Sequence, residues 1–182
     1  METALVLCEA SFNRTGGKTA AGLVRHSLRF KIVGILDSTL AGKDAGEVLD
    51  GRHTGIPIFS SVTDALRQLK KKPDCLIIGV ATVGGMLPKA FRPAIREAIK
   101  NGIDIISGLH EWLALDPELS ELAEKHGVTI ADIRKEPPLE KMHYYRNLAS
   151  KMDAVRIPVL GTDAASGKRT TAIILTKALN ER

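Results

Sequence analysis

The sequence predicts an α/β protein with a doubly wound, largely parallel sheet, followed by the start of a second α/β unit. Short apolar runs alternate with amphipathic stretches along the chain, which is the pattern of strands joined by crossover helices. Several of the apolar runs are almost continuous Val, Ile and Leu, as expected for strands that are covered on both faces. A loop of small residues leading into a lysine follows the last apolar run, and a helical pattern follows that loop at once.

Each element is predicted from its apolar pattern, in chain order. The predicted strands are the short apolar runs at residues 4–8, 32–36, 56–59, 75–80, 103–107, 129–133 and 157–160. The predicted helices are the amphipathic stretches at residues 20–26, 62–71, 87–100, 118–126 and 168–179. The earlier elements fit a Rossmann-like domain over residues 1–136. Pro137 and Pro138 interrupt the alternation, so residues 137–154 are predicted to be a linker. Residues 155–182 then fit the first βα unit of a P-loop domain.

The composition fits a globular chain and disfavours several classes of partner. At about 150 residues per domain, a chain of 182 residues predicts one domain, or one domain and a fragment. No apolar run approaches the roughly 18 residues of a transmembrane helix, and the N-terminus lacks the features of a secretory signal. A net charge of +5 and an aromatic content of 4% disfavour nucleic acid as a partner. We therefore expect a cytoplasmic protein, without a membrane partner, that binds a small anionic ligand such as a phosphate.

The two cysteines and one cluster of lysines are predicted to have structural rather than functional roles. Cys8 and Cys75 lie inside apolar runs and have no metal-ligand spacing, so both are predicted to be small core residues. The basic cluster at residues 70–72 falls at a predicted helix end, where positive charge is favourable through the helix dipole.

The strongest site signal is the loop that follows the predicted strand at residues 157–160. Glycines there let backbone N–H groups turn inward around phosphate oxygens, and the helix N-terminus adds partial positive charge. Lys168 would reach the terminal phosphates, and Thr170 is the nearest hydroxyl that could bind Mg²⁺. The candidate phosphate-binding residues are Gly161, Thr162, Gly167, Lys168, Arg169 and Thr170.

This loop departs from the Walker pattern in two ways. Five residues, rather than four, separate Gly161 from Gly167, and Arg169 stands where Ser or Thr is expected. The five-residue spacing resembles the loop of dethiobiotin synthetase and its relatives, which also begins Gly-Thr-Asp. A glycine-rich turn that binds no phosphate is the alternative interpretation.

Further candidates lie where predicted strands of the first domain end, because ligands of parallel sheets bind at the carboxyl ends of strands. Asp37 ends the second strand, where it would hold a ribose hydroxyl or, alternatively, cap the following turn. Gly84 and Gly85 follow the fourth strand, and their N–H groups would form an anion nest. His110 follows the fifth strand as a general base, a carboxylate anchor or a histidine bonded within its loop. These residues should converge on one crevice.

The loop after the first strand has a weaker phosphate signal. Residues 16–19 read Gly-Gly-Lys-Thr but lack the upstream glycine of a phosphate loop and the GxGxxG fingerprint of a dinucleotide site. They either contact a phosphate or carboxylate or form a plain helix start. The missing fingerprint disfavours NAD as a cofactor.

Several groups of residues together match one known family: Ala21-Gly22-Leu23-Val24-Arg25, Gly34-Ile35-Leu36-Asp37 with Ala41-Gly42-Lys43-Asp44, Ile78-Gly79-Val80-Ala81 with Gly84-Gly85, Ser107-Gly108-Leu109-His110, Asp132-Ile133-Arg134-Lys135, and Gly161-Thr162-Asp163 with Gly167-Lys168-Arg169-Thr170-Thr171. Over its whole length the chain resembles a two-domain family, long catalogued as of unknown function, with a Rossmann-like N-terminal half and a P-loop C-terminal half. That family includes bacterial D-glutamate N-acetyltransferase. Its members are much longer, so the resemblance implies that this chain is truncated within the P-loop half.

The resemblance implies transfer of an acetyl group from acetyl-CoA to the amine of D-glutamate or a similar amino acid. The loop at residues 161–170 would then bind the phosphates of CoA, and His110 or Asp163 would take the amine proton. A second hypothesis is an ATP-dependent ligase or kinase of the dethiobiotin synthetase type, with Mg²⁺ at Thr170. A third is a non-catalytic module that binds a small anion. Formation of a homo-oligomer is left open.

Overall fold

A computed structural model describes residues 1–163 and 166–181 of the chain. The chain divides into two compact units, Met1–Glu136 and Pro137–Arg182. Ala164 and Ala165 of the predicted phosphate loop, together with Arg182, lie outside the described residues. The candidate crevice residues fall in the first unit, and the candidate phosphate loop falls in the second.

The first unit is built on a six-stranded sheet in which all neighbouring strands are parallel. The strand order β3-β2-β1-β4-β5-β6 winds in opposite directions on the two sides of β1, which is the doubly wound arrangement that the sequence predicts. The strands are β1 Glu2–Leu7, β2 Phe30–Leu36, β3 Ile58–Phe59, β4 Cys75–Ile78, β5 Asp104–Ser107 and β6 Ile130–Asp132. The predicted α/β fold class is therefore confirmed.

Five helices, all within the fully described residues 1–136, connect these strands: α1 Lys18–His26, α2 Ala45–Asp50, α3 Val62–Gln68, α4 Arg92–Lys100 and α5 Pro117–His126. Only α2 was not predicted, because six residues are too few to show an amphipathic period. Its ends are set by capping. Asp44 accepts hydrogen bonds from the N–H groups of Gly46 and Glu47, and Gly51 ends the helix in the left-handed region.

Strand β1 lies inside the sheet and is covered on both faces. The consecutive residues Leu5 and Val6 point to opposite faces of the sheet, and neither has any exposed surface. On α4, Ile95 and Ile99 are one helical turn apart and are also fully buried. Burying each such side chain contributes about 1.5–3 kcal/mol. The almost continuous apolar sequence of β1 follows from this double burial.

The basic cluster at residues 70–72 stabilises a helix, but not the one that the sequence indicates. Helix α3 ends at Gln68, before the cluster. The Lys72 ammonium instead donates to the carbonyl oxygens of Asn101, at 3.2 Å, and Gly102, at 2.8 Å, just beyond the end of α4. A cation at this position satisfies carbonyl groups that the helix leaves without a partner and is favoured by the helix dipole.

In the second unit, the structure has the predicted helix but not the predicted strand. Helix α6 spans Lys168–Asn180. Residues 157–160 have no regular secondary structure, so the strand prediction was wrong. A strand forms only when a neighbour accepts its hydrogen bonds, and the described residues of this unit contain no other strand. Two short 3₁₀ turns, Leu139–Lys141 and Leu148–Lys151, lie in the predicted linker.

The described residues of the second unit contain no buried side chain. Several of their large apolar side chains are well exposed, among them Tyr144, Val155 and Leu160. With 13 residues, α6 is nevertheless the longest helix in the described chain. No helix within residues 1–163 and 166–181 has both the length and the apolar character needed to cross a bilayer.

A buried carboxylate holds α2 and the segment that follows it. One oxygen of Asp44 accepts hydrogen bonds from the N–H groups of Gly46, Glu47 and Thr54 and from the Thr54 hydroxyl, at 2.9–3.1 Å. Burial alone would raise the pKa of Asp44. The hydrogen bonds outweigh it and lower the pKa from 3.8 to about 2. Asp44 therefore stabilises the fold in its charged form.

We predict that Asp44→Ala lowers the free energy of unfolding at pH 7 by about 2 kcal/mol, because the lowered pKa and the helix cap are lost together. The folded-state pKa lies below the unfolded one, so this stabilisation is present above about pH 4 and disappears as the pH falls towards 2. Urea unfolding, followed by the fluorescence of the single tryptophan, measures the difference at each pH. The exposed Glu124→Gln on α5 is the control. If the difference in unfolding free energy between the wild type and Asp44→Ala does not decrease at low pH, charged Asp44 is not the stabilising group.

Candidate functional site

The candidate residues of the first unit lie at the carboxyl edge of its sheet. The order of the strands reverses between β1 and β4, so a ligand crevice is expected between the loops that follow them. Those two loops are instead bonded to each other. The N–H of Ala81 donates to the carbonyl of Gly16 at 2.8 Å, and the N–H of Ala20 in α1 donates to the carbonyl of Gly79 at 2.9 Å. These contacts favour the plain helix start over a phosphate contact at residues 16–19.

Asp37 connects two loops at this edge. Its side chain is fully buried. One carboxylate oxygen accepts from the N–H groups of Ser11 and Phe12, at 3.2 and 3.1 Å, and the other accepts from the N–H and hydroxyl of Thr39, at 3.1 and 2.6 Å. A carboxylate has about four acceptor positions. All are used within the protein, so the structure favours the turn-capping interpretation over contact with a ribose.

Gly84 and Gly85 form a tight turn that packs on His110. Both glycines have positive φ, 70° and 69°. A Cβ atom on Gly85 would lie 2.2 Å from Cδ2 of the His110 ring, so only glycine fits there. The Gly85 N–H donates to the carbonyl of Thr82, and the Gly85 carbonyl accepts from the N–H groups of His110 and Glu111. The anion nest expected at this turn therefore lacks the Gly85 donor.

The His110 ring contacts an arginine that our site prediction did not include. Its Nε2 lies 3.3 Å from Nη1 of Arg134, which follows β6. Because a guanidinium can only donate, Nε2 accepts this hydrogen bond, and a neutral ring then carries its proton on Nδ1. Arg134 could have been found with the rule that selected the others, since it too follows the end of a strand. The structure thus brings Gly85, His110 and Arg134 together.

The candidate phosphate loop of the second unit closes around its lysine. The Lys168 ammonium donates to the carbonyl oxygen of Asp163 and, at 3.1 Å, to the Ser166 hydroxyl. A Cβ atom on Gly161 would lie 2.7 Å from that hydroxyl and 3.2 Å from the Lys168 side chain. Gly167, with φ of 86°, is the N-cap of α6. The small residues therefore allow the lysine to fold back over the loop.

The remaining loop candidates are open to solvent. Thr162, Asp163, Arg169 and Thr170 are all exposed. Thr170 lies in the first turn of α6, where its hydroxyl would be the Mg²⁺ ligand if a metal binds. Among the described residues, no group of three or more His, Cys, Asp or Glu side chains could hold a metal ion. The described loop therefore offers one ammonium, one guanidinium and several hydroxyl groups to an anion.

Neither cysteine is suited to act as a nucleophile. Both are buried core residues, as the sequence predicts. Burial, reinforced by the negative charge of Asp37, raises the pKa of Cys8 to about 12. Burial also raises the pKa of Cys75 to about 12. Since the thiolate is the reactive form of cysteine, both side chains stay protonated and unreactive near neutral pH.

The contact between Gly85 and His110 gives a prediction with a matched control. Gly85→Ala places a Cβ in strained backbone and against the His110 ring, whereas Gly127→Ala, at φ of 63°, has no atom within 4 Å. We expect Gly127→Ala to cost about 1–2 kcal/mol of unfolding free energy from backbone strain. Gly85→Ala should cost about 1–3 kcal/mol more through overpacking. Equal losses in urea unfolding would show that the Gly85–His110 contact is loose.

Two curated relatives match part of this chain in sequence. A D-glutamate N-acetyltransferase from Pseudoalteromonas sp is 37% identical over 106 residues, which cover 58% of this chain and 31% of that protein. A D-glutamate N-acetyltransferase from Tritonibacter scottomollicae is 32% identical over 107 residues, covering 59% of this chain and 31% of that protein. The matched segment thus spans about a third of either relative.

Solved structures extend the comparison to the whole chain. The crystal structure of a DUF1611 family protein from Anabaena variabilis matches all of this chain, and 51% of its own, with a TM-score of 0.86 and 32% identity. An amine dehydrogenase from Mycobacterium smegmatis matches 71% of this chain and 38% of its own, with a TM-score of 0.50 and 22% identity, which supports the fold alone.

Two family models match the chain in succession. Residues 38–136 match the Rossmann-like N-terminal domain of DUF1611, described as a domain of unknown function. Residues 143–182 match its P-loop domain, also described as a domain of unknown function. These matches, with the parallel sheet of the first unit and the lysine-containing loop of the second, lead to one conclusion: the chain belongs to the DUF1611 family.

Proposed function

We propose that this chain is part of an N-acetyltransferase that moves an acetyl group from acetyl-CoA to the amine of D-glutamate or a similar amino acid. The observation that carries the proposal is the position of the Lys168 ammonium, folded over a loop of small residues at the start of a helix. The names of the two curated relatives supply the reaction type. The proposal assigns the loop to the phosphates of CoA.

The contacts of Lys168 support a phosphate site. Its ammonium lies against two neutral oxygen atoms, the Asp163 carbonyl and the Ser166 hydroxyl. A phosphate oxygen is a stronger partner, because its negative charge adds Coulomb attraction to the ammonium that these neutral oxygens do not supply. The first turn of α6 adds its unpaired N–H groups and its partial positive charge. Arg169, exposed beside Lys168, would add a second cation.

The proposed reaction needs a base as well as a phosphate site. The amine nitrogen attacks the thioester carbonyl carbon, a C–N bond forms, and the C–S bond breaks. The amine gives up a proton to a base, and the sulfur of CoA leaves as a thiolate that takes up a proton. Asp163 and His110 are our two proposals for the base. Nε2 of His110 accepts a hydrogen bond from Arg134, so as a base it would have to exchange this contact for the amine proton.

We predict that Lys168→Ala weakens the binding of acetyl-CoA about ten- to a hundredfold, because it removes a charge-assisted hydrogen bond. Isothermal titration of both proteins with acetyl-CoA at low salt measures the change. Folding should be unaffected, since no residue in the described part of this unit is buried. Arg169→Ala is the control. It also removes one cation, but its side chain points about 100° away around the helix, so the loss should be smaller.

Titrations with ATP, with and without Mg²⁺, distinguish the rival functions. Acetyl-CoA binding without metal supports acyl transfer, and formation of N-acetyl-D-glutamate with release of a free thiol would establish it. ATP binding that requires Mg²⁺ and depends on Thr170 would favour the ligase or kinase. Equal binding of acetyl-CoA and ATP by the wild type and Lys168→Ala would show that the loop is a structural turn. Binding of a small anion without turnover would favour the binding module.

A further inference from the structure

We infer that Arg134, oriented by His110, is the anchor in the first unit for the carboxylate of an amino-acid substrate. This inference rests on the proposed function, because that function requires an amino acid to be held by its acidic groups. To that function it adds one binding residue, Arg134, and the substrate group that this residue would contact, a carboxylate. Three observations support it: Arg134 has a histidine ring rather than a carboxylate as its partner, the ring lies against Gly85, and the backbone N–H groups nearby are hydrogen-bonded within the protein.

The partner of Arg134 is a histidine ring, whereas three arginines of the first unit form ion pairs. Arg25, Arg92 and Arg96 each pair with a carboxylate of a neighbouring element. Among the described residues, no carboxylate lies within ion-pair distance of the Arg134 guanidinium, which faces the ring nitrogen of His110 instead. The Arg134 side chain is exposed. A guanidinium has five N–H donors in a planar fork, so contact with one ring nitrogen leaves donors for a bidentate anion.

The neighbouring carboxylates are held by backbone groups instead. One oxygen of Glu111 accepts from the N–H of Leu87 at 2.6 Å. The two oxygens of Asp132 accept from the N–H groups of Leu113 and Ala114, at 3.0 and 2.9 Å. Lys135, next to Arg134 in the chain, lies over the Trp112 ring and adds positive charge nearby. The carboxylates of Glu111 and Asp132 are therefore engaged by backbone N–H groups rather than by the Arg134 guanidinium.

The orientation of the guanidinium depends on a ring that lies close to the Gly85 backbone. The His110 ring packs against Gly85, and the His110 N–H donates to the Gly85 carbonyl at 2.9 Å. Nε2 of this ring is an acceptor that holds one N–H of Arg134. Fixing one edge of the fork reduces the side-chain entropy that Arg134 would otherwise lose on binding a ligand. His110 is therefore a positioning residue in this inference.

The backbone hydrogen bonds favour a carboxylate over a phosphate. Phosphate sites usually gather several backbone N–H groups around the anion. Here the N–H of Gly85 donates to Thr82, those of His110 and Glu111 donate to Gly85, and that of Leu87 donates to the Glu111 side chain. These four N–H groups are therefore occupied within the protein, and the guanidinium fork of Arg134 matches the two oxygens of a carboxylate. Because a guanidinium fork also binds phosphate, the experiment described next titrates both a carboxylate and inorganic phosphate.

The test measures the binding of D-glutamate to the whole chain by isothermal titration. Arg134→Gln removes a charge-assisted hydrogen-bonding group, so we expect the affinity to fall about ten- to a hundredfold. Arg134→Lys should give an intermediate affinity, because lysine keeps the charge but not the planar fork. Arg67→Gln is the matched control. It removes one exposed arginine from α3 of the same unit and should leave the affinity unchanged.

Titrations with acetyl-CoA and inorganic phosphate separate this inference from the proposed function. Unchanged D-glutamate affinity in Arg134→Gln, or no D-glutamate binding by the wild type, overturns the anchor, whatever happens with acetyl-CoA. Arg134-dependent binding of phosphate without binding of D-glutamate overturns the carboxylate assignment. If D-glutamate binding depends on Arg134 but acetyl-CoA does not bind, the proposed function fails and the anchor is supported.

Two His110 variants test the positioning role. His110→Ala removes the acceptor and should lower D-glutamate affinity, whereas His110→Gln offers an oxygen acceptor and should restore much of it. A purely structural role for the ring would not be rescued by glutamine. Tryptophan fluorescence in urea checks that both variants fold. D-Glutamate affinity in His110→Ala equal to that of the wild type would remove His110 from the inference, and equal losses in both variants would contradict its role as an acceptor.

Discussion

Backbone N–H groups that meet at the carboxyl edge of a parallel sheet need acceptors, and the first unit supplies them from its own chain. The carbonyls of Gly79 and Gly85 and the carboxylate of Asp37 accept hydrogen bonds from neighbouring loops. These hydrogen bonds tie neighbouring loops of the edge to one another. They also occupy several donors that a phosphate would use, and Arg134 is the group that we infer to bind an anion there.

The two units therefore offer an anion different kinds of group. In the first, a guanidinium is oriented by a histidine that packs on Gly85. In the second, small residues leave space for Lys168 to fold over its loop, at the start of a helix. The first arrangement matches a planar carboxylate, and the second matches a polyphosphate. The acetyl transfer that we propose would use a group of each kind, one for the amino acid and one for CoA.

Structural features that depend on the local sequence pattern could be predicted from the sequence. Features that depend on residues far apart in the chain could not. The run at β1 is almost entirely apolar, and burial on both faces of a sheet accounts for it. The role of Asp37 stayed open, because its partners Ser11 and Phe12 lie 26 and 25 residues away along the chain. Helix α2 owes its ends to capping rather than to a period. Residues 157–160 have a strand-like sequence, but a strand also requires a neighbour.

The position of β1 also governs how the chain can assemble during synthesis. β1 is translated before both of its neighbours, yet it pairs with β2 on one side and β4 on the other, and the contact from Thr3 of β1 to Asp74 spans 71 residues. The backbone N–H and C=O groups on one edge of β1 stay without their partners until β4 has been translated. At about 5–20 residues per second, that delay lasts seconds. Nascent-chain chaperones that bind apolar segments would meet β1 during this interval.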